Sequence, residues 1–172
     1  MISLEELKAI MPYAGPRAQI FLEPLNAAMM EFDITGPVRQ AAFLAQIAHE
    51  SGSLKYVKEI ASGEAYEGRQ DLGNTEAGDG VKYKGRGLVQ ITGRANYREC
   101  GDALGLDLLD NPDLLCTPEN AARSAAWFWS SRGLNDLADK GDFKLITKKI
   151  NGGYNGYQDR LSYYERAQQV LA

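Results

Sequence analysis

The sequence predicts a mainly α domain with at most a very small β element. Three observations carry this reading. From Val38 to Glu50 the apolar residues Val38, Ala41, Ala42, Leu44, Ala45, Ile47 and Ala48 recur at helical spacing. Thr117-Pro118 is a helix start, an N-cap followed by proline at the first helical position. Only one short run, Leu88-Val89-Gln90-Ile91-Thr92, is apolar and β-prone.

The elements follow in chain order. Residues 3–11 read as a short amphipathic helix. Pro16 opens a second helix, with Ile20, Phe21, Leu25, Ala28, Met29 and Phe32 along one side and a bend expected at Pro24. Gly36-Pro37 is a break, and the helix from Val38 stops at Gly52. Residues 61–87, punctuated by glycines from Gly63 to Gly87, read as one long loop, a length that usually marks function or disorder. Leu88–Thr92 would be a small strand, with Gln90 and Thr92 on one face and Val89 and Ile91 on the other. Helices follow from Arg94 to Leu104, from Thr117 to about Gly133, from Asp142 through Ile150, and from about Gln158 to Leu171. Asn151-Gly152-Gly153 separates the last two. Trp127-Phe128-Trp129 lies mid-helix among alanines and reads as core rather than as a sugar platform.

A length of 172 residues fits one domain, with residues 1–37 as its N-terminal helical part, and can bury a core without staples. A net charge of −4 gives no support for nucleic-acid binding. No segment reaches the roughly 20 apolar residues of a membrane span. The start, Met1-Ile2-Ser3-Leu4-Glu5-Glu6, does not read as a secretory signal, so synthesis in the cytosol is the expectation. Cys100 and Cys116 lack metal-ligand spacing and read as two reduced thiols. The single histidine, His49, argues against a zinc hydrolase, and no Gly-x-Ser-x-Gly elbow is present. No metal or cofactor is expected, and the chain is expected to be a monomer.

Chemistry concentrates at Ala48-His49-Glu50-Ser51-Gly52. Glu50 falls in the last turn of its helix, where unpaired carbonyls oppose ionisation of a carboxyl group. A general acid must hold its proton at working pH, so the position suits that task. The pattern alone nevertheless favours the plainer reading, a solvated helix-end glutamate. Nine residues on, Glu59 precedes the glycine-rich segment and could be wet, ionised and able to activate water. Inverting glycosidases use such a pair about 6.5–9.5 Å apart. Glu64, Glu67 and Asp71 are rival bases on the same segment.

With these residues in view, the chain resembles glycoside hydrolase family 19, and within it the small phage and prophage endolysins more than the loop-rich plant chitinases. Four blocks carry the resemblance: Ala48–Gly52, Tyr83–Gly93, Ile150–Gly153 and Gln158–Tyr164. It covers roughly residues 38–172. It implies a lysozyme-like domain of two lobes with the cleft between them, and an inverting mechanism with Glu50 as acid and Glu59 as base. Thr92 would help hold the nucleophilic water. Substrate contacts would come from Gln90, Asn151 and Tyr97, with His49 beside the acid and Arg160 in the charge network of the two carboxylates. Plainer roles stand beside these. Arg86 and Gly87 would shape the loop, Asn151 would serve only its turn, and Arg160 would pair with Asp159 or Glu165. Where plant enzymes carry a glutamate, five positions into the Asn-Gly-Gly block, this chain has Asn155, which thins the carboxylate network.

The expected substrate is bacterial peptidoglycan, cut between N-acetylmuramic acid and N-acetylglucosamine by an enzyme made in a host cytosol and released to the wall. The alternatives are a chitinase acting on a chitin-like polysaccharide, a non-catalytic wall-binding module and a lytic transglycosylase.

Overall fold

The computed structural model describes residues 1–172. Nine helices make up the fold: α1 (Leu4–Ile10), α2 (Arg17–Glu31), α3 (Gly36–Glu50), α4 (Asp79–Lys82), α5 (Arg94–Leu104), α6 (Pro118–Ser131), α7 (Leu134–Asp139), α8 (Phe143–Asn151) and α9 (Tyr157–Leu171). Local chemistry starts several of them. Ser3 and Glu6 form a reciprocal capping box on α1. The Thr117 side chain accepts from the Asn120 amide to cap α6, and Asp142 accepts from Leu145 to cap α8.

α3 is the axis of the larger lobe. Every residue from Ala41 to Ala48 is buried, so this helix is covered on all sides. α9 packs along it, and α2 packs on α6. Between them lies a core of 30 buried residues, in which Phe43 meets Trp129 edge to face at 5.4 Å. A second, smaller core gathers Tyr83, Ile91, Tyr97, Cys100, Leu104, Leu108 and Leu115. Trp127 and Phe128 of α6 lean against this second core while Trp129 belongs to the first. The aromatic triplet is thus split between the lobes rather than wholly interior.

Four expectations need correction. Leu88–Thr92 is not a strand. Arg86 and Ile91 exchange backbone bonds of 3.1 and 2.8 Å across a tight reversal, leaving only isolated bridges. Gln90 sits at φ +58°, which breaks the extended alternation, although Gln90 and Thr92 still line one recess. Residues 61–87 are not one irregular loop but hold two short 3-10 turns and α4. Buried polar anchors organise them: Asp79 receives both Nε and Nη2 of Arg94, at 2.8 and 2.9 Å, and Asn74 links Tyr66 to the start of α5. Gly36-Pro37 opens α3 instead of preceding it, because proline is at ease in a first turn. Finally, α7 was not anticipated.

Candidate active site

α3 ends in an unusual turn. Gly52, Ser53 and Leu54 all take positive φ, at 58°, 56° and 70°. Outside glycine, a left-handed residue costs roughly 1–2 kcal/mol, so two in succession require strong anchoring. Leu54 is 1% exposed in the main core. The Ser51 hydroxyl donates to the Ile47 carbonyl at 2.6 Å and accepts from the Leu54 amide at 2.9 Å. Ser53 pairs with the Tyr163 hydroxyl, and its carbonyl receives Arg17. This turn sends the chain back past the end of α3, so that Glu50 and Glu59 line one cleft of about 250 Å³. Tyr56, Lys58, Ile60 and Gln90 complete its lining.

Each carboxylate is held by a different set of partners. Glu50 is ion-paired at 2.8 Å to Nη1 of Arg160, which is 2% exposed. The same Nη1 donates to Gln46 Oε1 at 2.7 Å, and Nε donates to the Asn155 carbonyl at 3.1 Å. Glu50 is therefore set in place by a buried guanidinium from α9. Glu59 accepts from the Tyr66 hydroxyl at 3.0 Å and from the Gly85 amide at 2.5 Å. Its own amide donates to the Gly85 carbonyl at 2.9 Å. Burial, then the bond to Glu59, raises the Tyr66 pKa above its ordinary value, so the phenol remains a donor at neutral pH.

The rival carboxylates are engaged elsewhere. Glu67 accepts the amides of Gly78 and Gly80, each at 2.9 Å, and these bonds hold it below the ordinary glutamate range. Asp71 is ion-paired to Arg69. Glu64 is exposed and lies outside the cleft lining.

One predicted substrate contact is not available to a substrate. Tyr97 is fully buried, and its hydroxyl lies between Nη1 of Arg86 and the Lys84 carbonyl. It is a core residue with a satisfied polar tip. Arg160 is equally interior and acts on Glu50, not on Asp159 or Glu165. His49 bonds Asp159 at 2.7 Å and packs so closely on Gly156 that a Cβ there would come within 2.2 Å of the ring. It joins the end of α3 to the first turn of α9. Asn151 closes α8 before Gly152 at φ 80° and is not part of the cleft lining. The Thr92 hydroxyl donates to the Gln90 carbonyl at 3.1 Å and lines an adjoining recess, which Gln90 shares with the cleft. Arg86 bonds the Lys82 carbonyl, Tyr97 and Asp113, the loop-shaping role. Cys100 and Cys116 form no disulfide, and burial pushes the Cys100 thiol up to about 12.

Sequence reasoning missed Tyr66 and Gln46. Neither carried a local signal, since the partner of each is brought to it only by the fold. Tyr56 and Lys58 could have been flagged by lying between the two glutamates, and Ile60 by following the second.

A helical domain of two cores, with paired carboxylates in the cleft at their junction, defines the class: a lysozyme-like polysaccharide hydrolase. Residues 32–139 match the sequence profile of glycoside hydrolase family 19, chitinase class I. A Haemophilus influenzae glycosyl hydrolase family 19 domain-containing protein is 29% identical, over 95% of this chain and 94% of its own length. An Arabidopsis thaliana endochitinase is 42% identical over 72% of this chain, and the match spans 44% of that protein. Among solved structures, a bacterial family 19 chitinase superposes with a TM-score of 0.82 at 29% identity, covering 99% of this chain and 95% of its own. Chitinase C from Streptomyces griseus gives 0.81 at 26% identity, covering 99% and 76%. The chain belongs to glycoside hydrolase family 19. It spans about half the length of the plant endochitinases it matches.

Proposed function

We propose that the cleft hydrolyses β-1,4 bonds in a polymer of N-acetylglucosamine by single displacement with inversion. The observation that carries this is the convergence of Glu50 and Glu59 on one cleft, each fixed by its own partners. Glu50 protonates the departing glycosidic oxygen. Glu59 takes a proton from the water that attacks the anomeric carbon from the other face, and the new reducing end forms with α configuration. Tyr66 and the Gly85 amide occupy one lone pair on each Glu59 oxygen, which leaves capacity to accept from water. Arg160 positions Glu50 without touching substrate. Thr92 fixes Gln90 through its carbonyl, and Gln90 offers its amide to the sugar. Asn151, outside the cleft lining, serves the turn that ends α8.

The chitinase names of the relatives favour a chitin-like substrate. The test is digestion of chitohexaose by the wild type, Glu50→Gln and Glu59→Gln, with proton NMR of the first anomer formed. Loss of a positioned acid or base costs roughly 10²–10⁴-fold in rate. Equal rates for wild type and Glu50→Gln, or a first-formed β anomer, overturn the assignment.

One observation favours a second substrate, peptidoglycan. The cleft is open, and its rim residues Tyr56 and Ile60 are 39% and 85% exposed. That leaves room for a glycan carrying peptide branches. Under this reading the chain is a phage or prophage endolysin, made in a host cytosol and acting on the wall after release. Mass spectrometry of digested peptidoglycan would then show hydrated reducing ends at N-acetylmuramic acid, absent with Glu50→Gln. Anhydro-muramic ends would identify a transglycosylase instead.

A further inference from the structure

The recess beside the cleft is lined by a guanidinium, that of Arg132, which makes no ion pair. It measures about 120 Å³ and opens next to Gln90, the residue it shares with the cleft. Thr92 and Asn96 line it on one side, and Trp127, Phe128 and Arg132 on another. Arg132 closes α6, and its guanidinium lies over the Phe128 ring at 3.5 Å, a cation–π contact. It makes two long bonds, from Nη1 to the Phe128 carbonyl at 3.4 Å and to the Ser131 hydroxyl at 3.3 Å. Most of its five donors remain free. Arg94 on α5 is matched with Asp79 and Arg123 on α6 with Glu31, whereas Arg17, Arg98 and Arg166 resemble Arg132 in having no ion pair, but none of the three lines the recess. Arg132 has no ion pair, and Glu99 is the one acid whose charge reaches it. Partial burial of the guanidinium lowers its pKa, and the charge of Glu99 works against that shift.

We propose that this recess is an anion subsite, in which Arg132, stacked on Phe128, receives a carboxylate carried by a side branch of the glycan bound in the cleft. The inference rests on the polysaccharide reading of the cleft and deepens it. A neutral chitin chain has nothing to offer Arg132, whereas a peptide-substituted glycan carries carboxylates on its stems. Arginine suits the task because its planar fork can hold a carboxylate through two parallel bonds while its face stays on an aromatic ring. In a chain of net charge −4, an unpaired cation facing a substrate recess draws anions locally and not over the whole surface. Gln90 provides the link, since one ligand in contact with it can occupy both spaces.

The test is calorimetric titration in the slow-turnover Glu50→Gln background, with and without Arg132→Gln and Arg132→Lys. One probe is chitotetraose. The other is a tetrasaccharide of alternating N-acetylglucosamine and N-acetylmuramic acid with tetrapeptide stems. The proposal expects the stem-bearing glycan to bind about 3–10-fold more tightly than chitotetraose at low salt, as for a partly exposed ion pair. That preference should disappear in Arg132→Gln, return in part in Arg132→Lys, and shrink at 0.5 M salt in the parent. Chitotetraose affinity should be the same in all three proteins, which also checks that they are folded. Equal affinity for both probes, binding of neither, or a preference that survives Arg132→Gln overturns the subsite. The hydrolysis assay on chitohexaose is independent of Arg132, so its failure would strike the proposed activity and not this recess.

Discussion

Arg160 is the residue whose removal says most about how this site is built. Replacing it with methionine keeps much of the buried stem and deletes three polar contacts. Gln46 is 1% exposed and would lose a hydrogen bond from a charged donor, which is worth about 1.5–3 kcal/mol when such a group is left unsatisfied. The ion pair to Glu50 adds less than the 3–5 kcal/mol of a fully interior pair, because the Glu50 side chain is 21% exposed and water from the cleft can replace the guanidinium. The exposed Asn155 carbonyl is also rehydrated and contributes little. The sum is about 2–4 kcal/mol of lost stability. For a domain of this size, a loss of 1 kcal/mol lowers Tm by roughly 2–4 °C, so Arg160→Met should melt about 5–15 °C lower. Urea unfolding at pH 7 measures the change directly, and a double-mutant cycle with Glu50→Gln isolates the pair. Coupling of about 1 kcal/mol or more is expected for groups in contact. An Arg160→Met protein within about 0.5 kcal/mol of wild type, or a cycle with no coupling, would refute the claim that Arg160 holds Glu50.

The remaining expectations are smaller. Tyr66→Phe removes the donor to Glu59 and should slow hydrolysis about 3–10-fold, with less than about 1.5 kcal/mol lost in urea unfolding. A larger fall in stability than in rate would make Tyr66 a purely structural residue. Gly85→Ala would place a Cβ 2.6 Å from the Gln90 amide oxygen, the far end of a flexible side chain. It should therefore lower kcat/KM while leaving Tm nearly unchanged. By contrast, Gly80→Ala meets backbone, the Glu67 nitrogen at 2.6 Å and the Gly63 carbonyl at 2.7 Å, and should lower Tm outright. Arg94 holds Asp79 below the ordinary aspartate range. A depressed carboxylate stabilises the fold above its unfolded pKa, about 4, and that contribution fades as pH falls through the lower folded value. Asp79→Asn should accordingly be less stable than wild type at pH 7, with the gap narrowing below about pH 4. A gap independent of pH would show that charge is not what Asp79 supplies.

The helices were readable because their signals are local. Thr117 and Asp142 cap the helices they were expected to cap, and the apolar spacing of residues 38–50 marked the central helix. α7 was missed although Leu134, Leu137 and Ala138 have helical spacing, since six residues after a glycine read easily as loop. The supposed strand failed for a different reason. Alternation over five residues assumes extended backbone, and nothing in the sequence revealed that Gln90 would take a left-handed conformation. At the site, the pairing of Glu50 with Glu59 was suggested by their spacing and by family resemblance. What holds them was not. Arg160 comes from a helix that begins more than a hundred residues after Glu50, and Tyr97, expected to touch sugar, has its hydroxyl enclosed by Arg86 and Lys84. Polar residues buried by tertiary partners leave no periodic trace.

The left-handed turn at Gly52-Ser53-Leu54 has one more consequence. Because Leu54 is sunk in the core and Ser53 is bonded from two helices, the interval between the two glutamates is a ruler of fixed length. Adding or deleting a residue inside it would unseat a core side chain as well as move Glu59. Changes in how many sugars the cleft embraces therefore have to be made beyond Glu59, in the segment that Asp79 and Asn74 pin in place. There, Tyr66 and Gly85 hold Glu59, so a longer segment keeps the spacing of the two carboxylates only where both contacts are retained. Engineering that seeks a deeper groove has its insertion point marked.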